Sequence, residues 1–234
     1  MRRFFYWVAG LALLYATSLA PALAADVVSE AAPSSVFDLR QWKLQLPGPK
    51  EVKNLQGYSS AYFGLDAERH LRFRLDAAEK GTTPNTSYVR AELRHLPNWS
   101  MAGPHVLSAE FRAVSRLKPD RLTVLQIHGI TDRGENAPPL LRIALNNGDL
   151  VAVIKTTVAG DSNDTVMLQR GLEDSPAKVE VRVQSSQMTI AVNGEVKASR
   201  NLSFWTFPNY WKAGIYPQAH AGIAEVVFYR LDAD

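Results

Sequence analysis

An all-β sandwich in one domain is the fold this sequence predicts, on three observations. Short runs of alternating apolar and polar residues recur from Phe37 onward, with turn residues between them. One of these runs is split by Asn193-Gly194, the pair that suits a type I′ hairpin turn. Helical periodicity is weak outside the N-terminal segment, and the spacing allows only a short helix around Ala61 to Glu68.

In chain order, residues 1–24 read as an export signal: Arg2 and Arg3, an apolar run from Val8 to Leu14, and the small-x-small site Ala22-Leu23-Ala24. The run is shorter than the roughly 20 residues of a spanning helix, and Pro21 follows it. Cleavage after Ala24 is therefore expected, with a periplasmic or secreted mature protein. Residues 25–35 read as a flexible mature N-terminus and 36–234 as the folded domain. Leu71, Phe73 and Leu75 alternate with Arg72 and Arg74. Val89, Ala91 and Leu93 alternate with Arg90, Glu92 and Arg94, and Val179, Val181 and Val183 with Glu180 and Arg182. Gln187 to Val192 and Glu195 to Ser199 flank the Asn-Gly turn. Thr131 to Pro139 and Thr157 to Asp164 read as long, functional loops.

The whole chain carries a formal charge of +3, and removing Arg2 and Arg3 with the signal leaves 24 cations against 23 acids. Attraction for a polyanion must then come from local clustering of charge. No nucleic-acid partner, no membrane attachment after signal cleavage and a monomeric state are expected. The absence of cysteine excludes thiolate metal sites, cysteine nucleophiles and disulfides, which a domain of this length does not need.

Three stretches place polar side chains on single strand faces, because residues i, i+2 and i+4 share a face. Arg90, Glu92 and Arg94 form the first; two guanidiniums around one carboxylate make a fork for substrate carboxylates, with Glu92 holding both arginines. Taken alone, an ordinary solvated strand face, with the glutamate pairing its neighbours, is the better explanation of them. Gln126 and His128 form the second, on a face shared with Leu122 and Val124, while Thr123, Leu125 and Ile127 point the other way. A neutral His128 would serve as a base if a nearby arginine kept its pKa from rising. Tyr210, Lys212, Tyr216 and Gln218 form the third. Gly214 leaves a gap among them where a sugar ring could approach the backbone, and Lys212 and Arg90 would help a tyrosine reach the phenolate.

These stretches resemble the signatures of the alginate lyases of polysaccharide lyase family 7, Arg-(Ser/Thr/Asn)-Glu-Leu-Arg, Gln-(Ile/Val)-His and Tyr-Phe-Lys-Ala-Gly-x-Tyr-x-Gln, in the same order. The segment from Phe37 to Pro47 is similar to that family's first strand. Ala91, Trp211 and Pro217 are the departures, and none is a presumed catalytic side chain. The resemblance implies a single-domain β-jelly roll sandwich whose concave sheet binds alginate, a polymer of mannuronate and guluronate. It implies β-elimination without metal or organic cofactor. Arg90 and Gln126 would neutralise the uronate carboxylate, His128 would act as base, and Tyr216 as acid, or as both when proton and leaving group lie on one side. Arg94, Lys212 and Gln218 would bind flanking sugars or tune the phenol, with Glu92 and Tyr210 on the same substrate-binding face. Ile127 in the central signature is associated with guluronate-containing stretches.

Two other classes compete. A glycoside hydrolase needs two acids flanking the scissile bond, and only Glu92 lies within the motifs. A non-catalytic uronan-binding module would keep the arginines and aromatics without needing His128 and Tyr216 together. A lyase acting on another polyuronate would share the chemistry.

Overall fold

The computed structural model describes residues 31–48, 50–81, 87–131, 133–172 and 175–234; the expected export signal and residues 25–30 lie outside them. Among the described residues the chain forms a 3₁₀ turn at Pro33–Ser35 and then strands β1 (Trp42–Leu46), β2 (Lys50–Val52), β3 (Phe63–Leu65), β4 (Leu71–Asp76), β5 (Ala91–His95), β6 (His105–Ser115), β7 (Arg121–Ile130), β8 (Asn136–Asn146), β9 (Asp149–Lys155), β10 (Asn163–Gln169), β11 (Ala177–Gln184), β12 (Gln187–Val192), β13 (Glu195–Asn201), β14 (Asn209–Pro217) and β15 (Ile223–Ala233). Two antiparallel sheets pack face to face, an eight-stranded one in the order β10-β9-β8-β7-β14-β5-β1-β2 and a seven-stranded one in the order β13-β12-β11-β6-β15-β4-β3. Both contribute to one core, so the chain is one jelly-roll sandwich domain.

The alternating segments explain that core. Val179, Val181 and Val183 are buried while Lys178, Arg182 and Gln184 on the other face are exposed. Each valine taken from water contributes on the order of 1.5–3 kcal/mol. The β12–β13 hairpin turns at Asn193 and Gly194 with φ of 53° and 86°, as a type I′ turn requires.

Three expectations change. Around Ala61 to Glu68 the chain forms β3, not a helix, because Phe63 and Leu65 pair with Phe73 and Leu71 and fill the core. The expected loop from Thr131 shortens, since β8 begins at Asn136, and the second loop ends where β10 begins at Asn163. At the end of the N-terminal segment Pro33 is buried in its 3₁₀ turn.

Candidate active site

The three polar stretches meet because β7, β14 and β5 are neighbours in the eight-stranded sheet. Register sets their pairing: Tyr210 lies opposite His128, and Lys212 lies between Gln126 and Arg94. Glu92 sits opposite Gly214. On the reverse side of β14, Trp211, Ala213 and Ile215 are 0% exposed and anchor the strand in the core. Arg90 immediately precedes β5, and Gln218 immediately follows β14.

A bulge between Thr123 and Leu125 shifts the parity of β7. Leu122 therefore turns into the core and Thr123 turns to the polar face, the reverse of simple alternation. There the Thr123 hydroxyl donates to Gln218 Oε1 at 3.1 Å.

Glu92 is the buried centre of the site, 0% exposed. Its Oε1 accepts from Gln126 Nε2 at 2.5 Å, its Oε2 accepts from Lys212 Nζ at 2.5 Å, and an Arg90 guanidinium nitrogen lies 3.8 Å from Oε2. Lys212 is 1% exposed, and burial pulls its pKa below that of an ordinary amine although the Glu92 charge opposes the change. Both expected substrate-binding residues thus lie beneath the groove surface. They orient Gln126 and Arg90, whose remaining N–H groups are the ones that can meet a carboxylate. Glu92 does not hold Arg94: that guanidinium donates to the carbonyls of His95 and Leu96 at 2.6 and 2.7 Å and to Asn98 Oδ1 at 2.7 Å.

His128 Nδ1 lies 3.0 Å from the Gly129 carbonyl oxygen, an interaction that places the proton on Nδ1 and leaves Nε2 as the basic atom. Burial above all, then the Lys212 charge, pushes the His128 pKa down to about 4. The arginine effect anticipated from the sequence is present through Arg90 but is smaller than either. The imidazole stacks on Tyr210 at 5.2 Å between centroids, and Arg94 covers the Tyr210 ring at 4.2 Å. The Tyr210 hydroxyl donates to Asn136 Oδ1 at 3.2 Å, and burial pushes the phenol pKa up to about 12. Tyr210 is thus a fixed wall for His128. Tyr216, half-buried, has the Arg90 guanidinium 4.7 Å above its ring and Tyr88 edge-on at 6.3 Å. Tyr88 in turn stacks on His220 at 4.8 Å.

Gly214 serves the sheet, not an approaching sugar. Its φ is +145°, and a Cβ there would lie 2.5 Å from the Ala91 carbonyl oxygen and 2.9 Å from the Glu92 Cα. Only glycine lets β14 and β5 close around Glu92. Ile127 is 0% exposed in the core, so it meets no sugar directly.

Sequence reasoning missed Arg142, Arg121 and Tyr88. Arg142 lies beside Gln126 on β8, electrostatically coupled to Tyr216. With Arg121, Tyr88, Gln218, Asn163 and Thr165 it lines a pocket of about 360 Å³. The only legible hint was an arginine alternating with Leu141 and Ile143 on a strand after the Gln-Ile-His stretch. Among the described residues no group of three or more histidine, aspartate or glutamate side chains could hold a metal ion.

An antiparallel sandwich with a buried Glu-Lys-Gln centre below a histidine, a tyrosine and arginines sets donors that suit a carboxylate beside groups that can move a proton, an arrangement of the polysaccharide lyase kind. The sequence profile of the alginate lyase family matches residues 37–234, and the chain belongs to that family. An alginate lyase from Photobacterium sp. (strain ATCC 43367) is 29% identical over 62% of this chain, which spans only 57% of that relative. Alginate lyase A1-II′ of polysaccharide lyase family 7 is 32% identical, superposes with a TM-score of 0.79, and matches over 87% of this chain and 98% of its own. A variant of that enzyme, 30% identical over 87% of this chain and 96% of its own at the same TM-score of 0.79, has been seen in complex with substrate. An alginate lyase from Pseudomonas aeruginosa, 22% identical over 85% of this chain and 99% of its own, has the same fold with a TM-score of 0.76.

Proposed function

We propose that this chain cleaves alginate by β-elimination. The observation that carries the reading is the Glu92 centre, which holds Gln126 and Arg90 on the face that also bears His128 Nε2 and the Tyr216 hydroxyl. Arg90 and a Gln126 N–H bind the uronate carboxylate and offset the negative charge that develops when the C5 proton leaves; such preorganised donors are usually the largest catalytic contribution. His128 Nε2 accepts that proton. The C5–H electron pair becomes the C4=C5 double bond as the C4–O4 bond breaks, and the Tyr216 hydroxyl donates its proton to O4. Where proton and leaving oxygen share a side, Tyr216 serves in both roles. The product carries a 4,5-unsaturated uronate at its new non-reducing end. Arg94 steadies Tyr210, and Gln218 extends the groove beyond Tyr216.

The same reading assigns the protein to the periplasm or the medium, as a monomer, after loss of residues 1–24. Its supports are the basic, apolar and small-x-small pattern and the near-neutral mature charge. The test is ultraviolet absorbance of the conjugated product on incubation with alginate. A rise that is lost in Tyr216→Phe and in His128→Ala is expected. Full activity in both variants would refute the assigned roles, and a rise only with another polyuronate would refute the substrate.

A further inference from the structure

The seven-stranded sheet has an outer face with its own charge problem. On β4, β6 and β15 the residues Leu71, Phe73, Phe111, Ala113, Val226 and Phe228 enter the core, so their alternates Arg72, Arg74, Arg112, Glu225 and Val227 face outward. Glu225 is nonetheless only 5% exposed. Its Oε2 accepts from Arg72 at 2.8 and 2.7 Å, while Arg74 lies 3.7 Å from that oxygen and Arg112 4.0 Å from Oε1. Val227 lies in register between Arg72 and Arg112 and is 2% exposed, as expected where arginine stems cover it.

One carboxylate balances one guanidinium, and Arg72 takes it by direct hydrogen bonds. Arg74 and Arg112, with side chains 31% and 36% exposed, make no guanidinium hydrogen bond among the described residues. Two cations are thereby held beside one buried anion, an arrangement whose mutual repulsion a second oxyanion would relieve. Among the described residues no other carboxylate lies within 4.0 Å of either guanidinium: Asp76 accepts from the Ala78 N–H, and Glu110 pairs with neither arginine. Exposed guanidinium forks match carboxylates. A mature chain close to neutral has no general attraction for polyanions, so a local surplus of this kind decides where one binds.

We propose that Arg74 and Arg112 form a second oxyanion site on the sheet opposite the groove, taking uronate carboxylates from a distant stretch of an alginate chain. This rests on the alginate reading above. A polymer held at the back of the sandwich raises the effective concentration of its own segments at the groove. A fragment just long enough to fill the groove gains nothing.

The experiment compares the parent with R74Q/R112Q on polymeric alginate and on a short oligouronate. The variant is expected to show a KM for polymer raised about tenfold, the effect of removing one charge-assisted hydrogen bond, with kcat unchanged. Its kcat/KM on the short substrate should equal that of the parent, and added salt should erase the difference on polymer. Equal KM values for polymer in parent and variant would overturn the second site and leave the lyase reading intact. A parent that yields no unsaturated product would overturn the lyase reading instead. Should the double variant lose its fold, seen as lost activity on the short substrate, R112Q alone alters the most exposed arginine. It is expected to raise the polymer KM about threefold, and an unchanged KM would be equally decisive.

Discussion

Replacing Glu92 by glutamine separates the chemistry of the site from its stability, because Glu92 touches no substrate and its charge has a buried partner. With the carboxylate gone, Lys212 at 1% exposure keeps no countercharge within hydrogen-bond reach. Removing one member of a buried pair costs about 3–5 kcal/mol. The ceiling is calculable: the ammonium can escape by losing its proton, which for an ordinary amine costs about 1.4 kcal/mol per pH unit below its pKa, or about 5 kcal/mol at pH 7 and about 2 kcal/mol at pH 9. The variant should therefore lose on the order of 10 °C in melting temperature at pH 7, at about 2–4 °C per kcal/mol for a domain of this size. The loss should shrink by about half or more at pH 9. Thermal unfolding at the two pH values measures both quantities. In E92Q/K212M the buried charge is absent and the melting temperature should return toward the parent's. Turnover of alginate should stay at least tenfold low, because Gln126 and Arg90 have lost the anion that orients them. If E92Q melted within 2 °C of the parent, a loss smaller than about 1 kcal/mol, the buried-pair argument would fail. If the double variant recovered full turnover, Glu92 would act on the fold alone.

His128 supplies a second prediction through pH. Its folded pKa of about 4 lies below the ordinary value of 6.5, so between these the unfolded chain binds a proton that the folded chain refuses. The neutral form's contribution is full above pH 6.5 and is lost as pH falls to 4, at most about 3 kcal/mol. His128→Asn should flatten that part of the stability curve, and an unchanged slope would contradict the assignment. The acid limb of kcat should correspondingly fall near pH 4, and a midpoint near 6.5 would show a solvated imidazole. Arg142 supplies the third: R142Q should raise KM for alginate about tenfold with kcat within threefold, as when one charged hydrogen bond to a neighbouring carboxylate is removed. A fall in kcat at constant KM would place Arg142 on the reacting atoms instead.

Period-two spacing reports which face a side chain takes, and this accounts for what could be read from the chain. It put Arg90, Glu92 and Arg94 on one face, Gln126 with His128, and Tyr210 with Lys212 and Tyr216; the register sets Tyr210 opposite His128 and Lys212 between Gln126 and Arg94, while Tyr216 lies past a register shift in β14. It fails where backbone parity changes, as at the Thr123–Leu125 bulge, which sent Thr123 to Gln218 and Leu122 inward. It is also silent about depth. Lys212 alternates like a surface residue, but its strand lies between β7 and β5, and their Gln126 and Glu92 side chains close over it. Arg142 escaped because its relation to Tyr216 runs across strands, through a β7–β8 register containing three shifts, and Tyr88 because it lies before β5 begins and meets Tyr216 only across the β5–β14 neighbourhood. Depth then decides role. A glutamate on the surface of this sheet would repel a uronate, whereas the same carboxylate at 0% exposure is already neutralised by Lys212 and can only orient the donors above it. The one acid within the motifs is thus compatible with binding a polyanion because the fold has buried it.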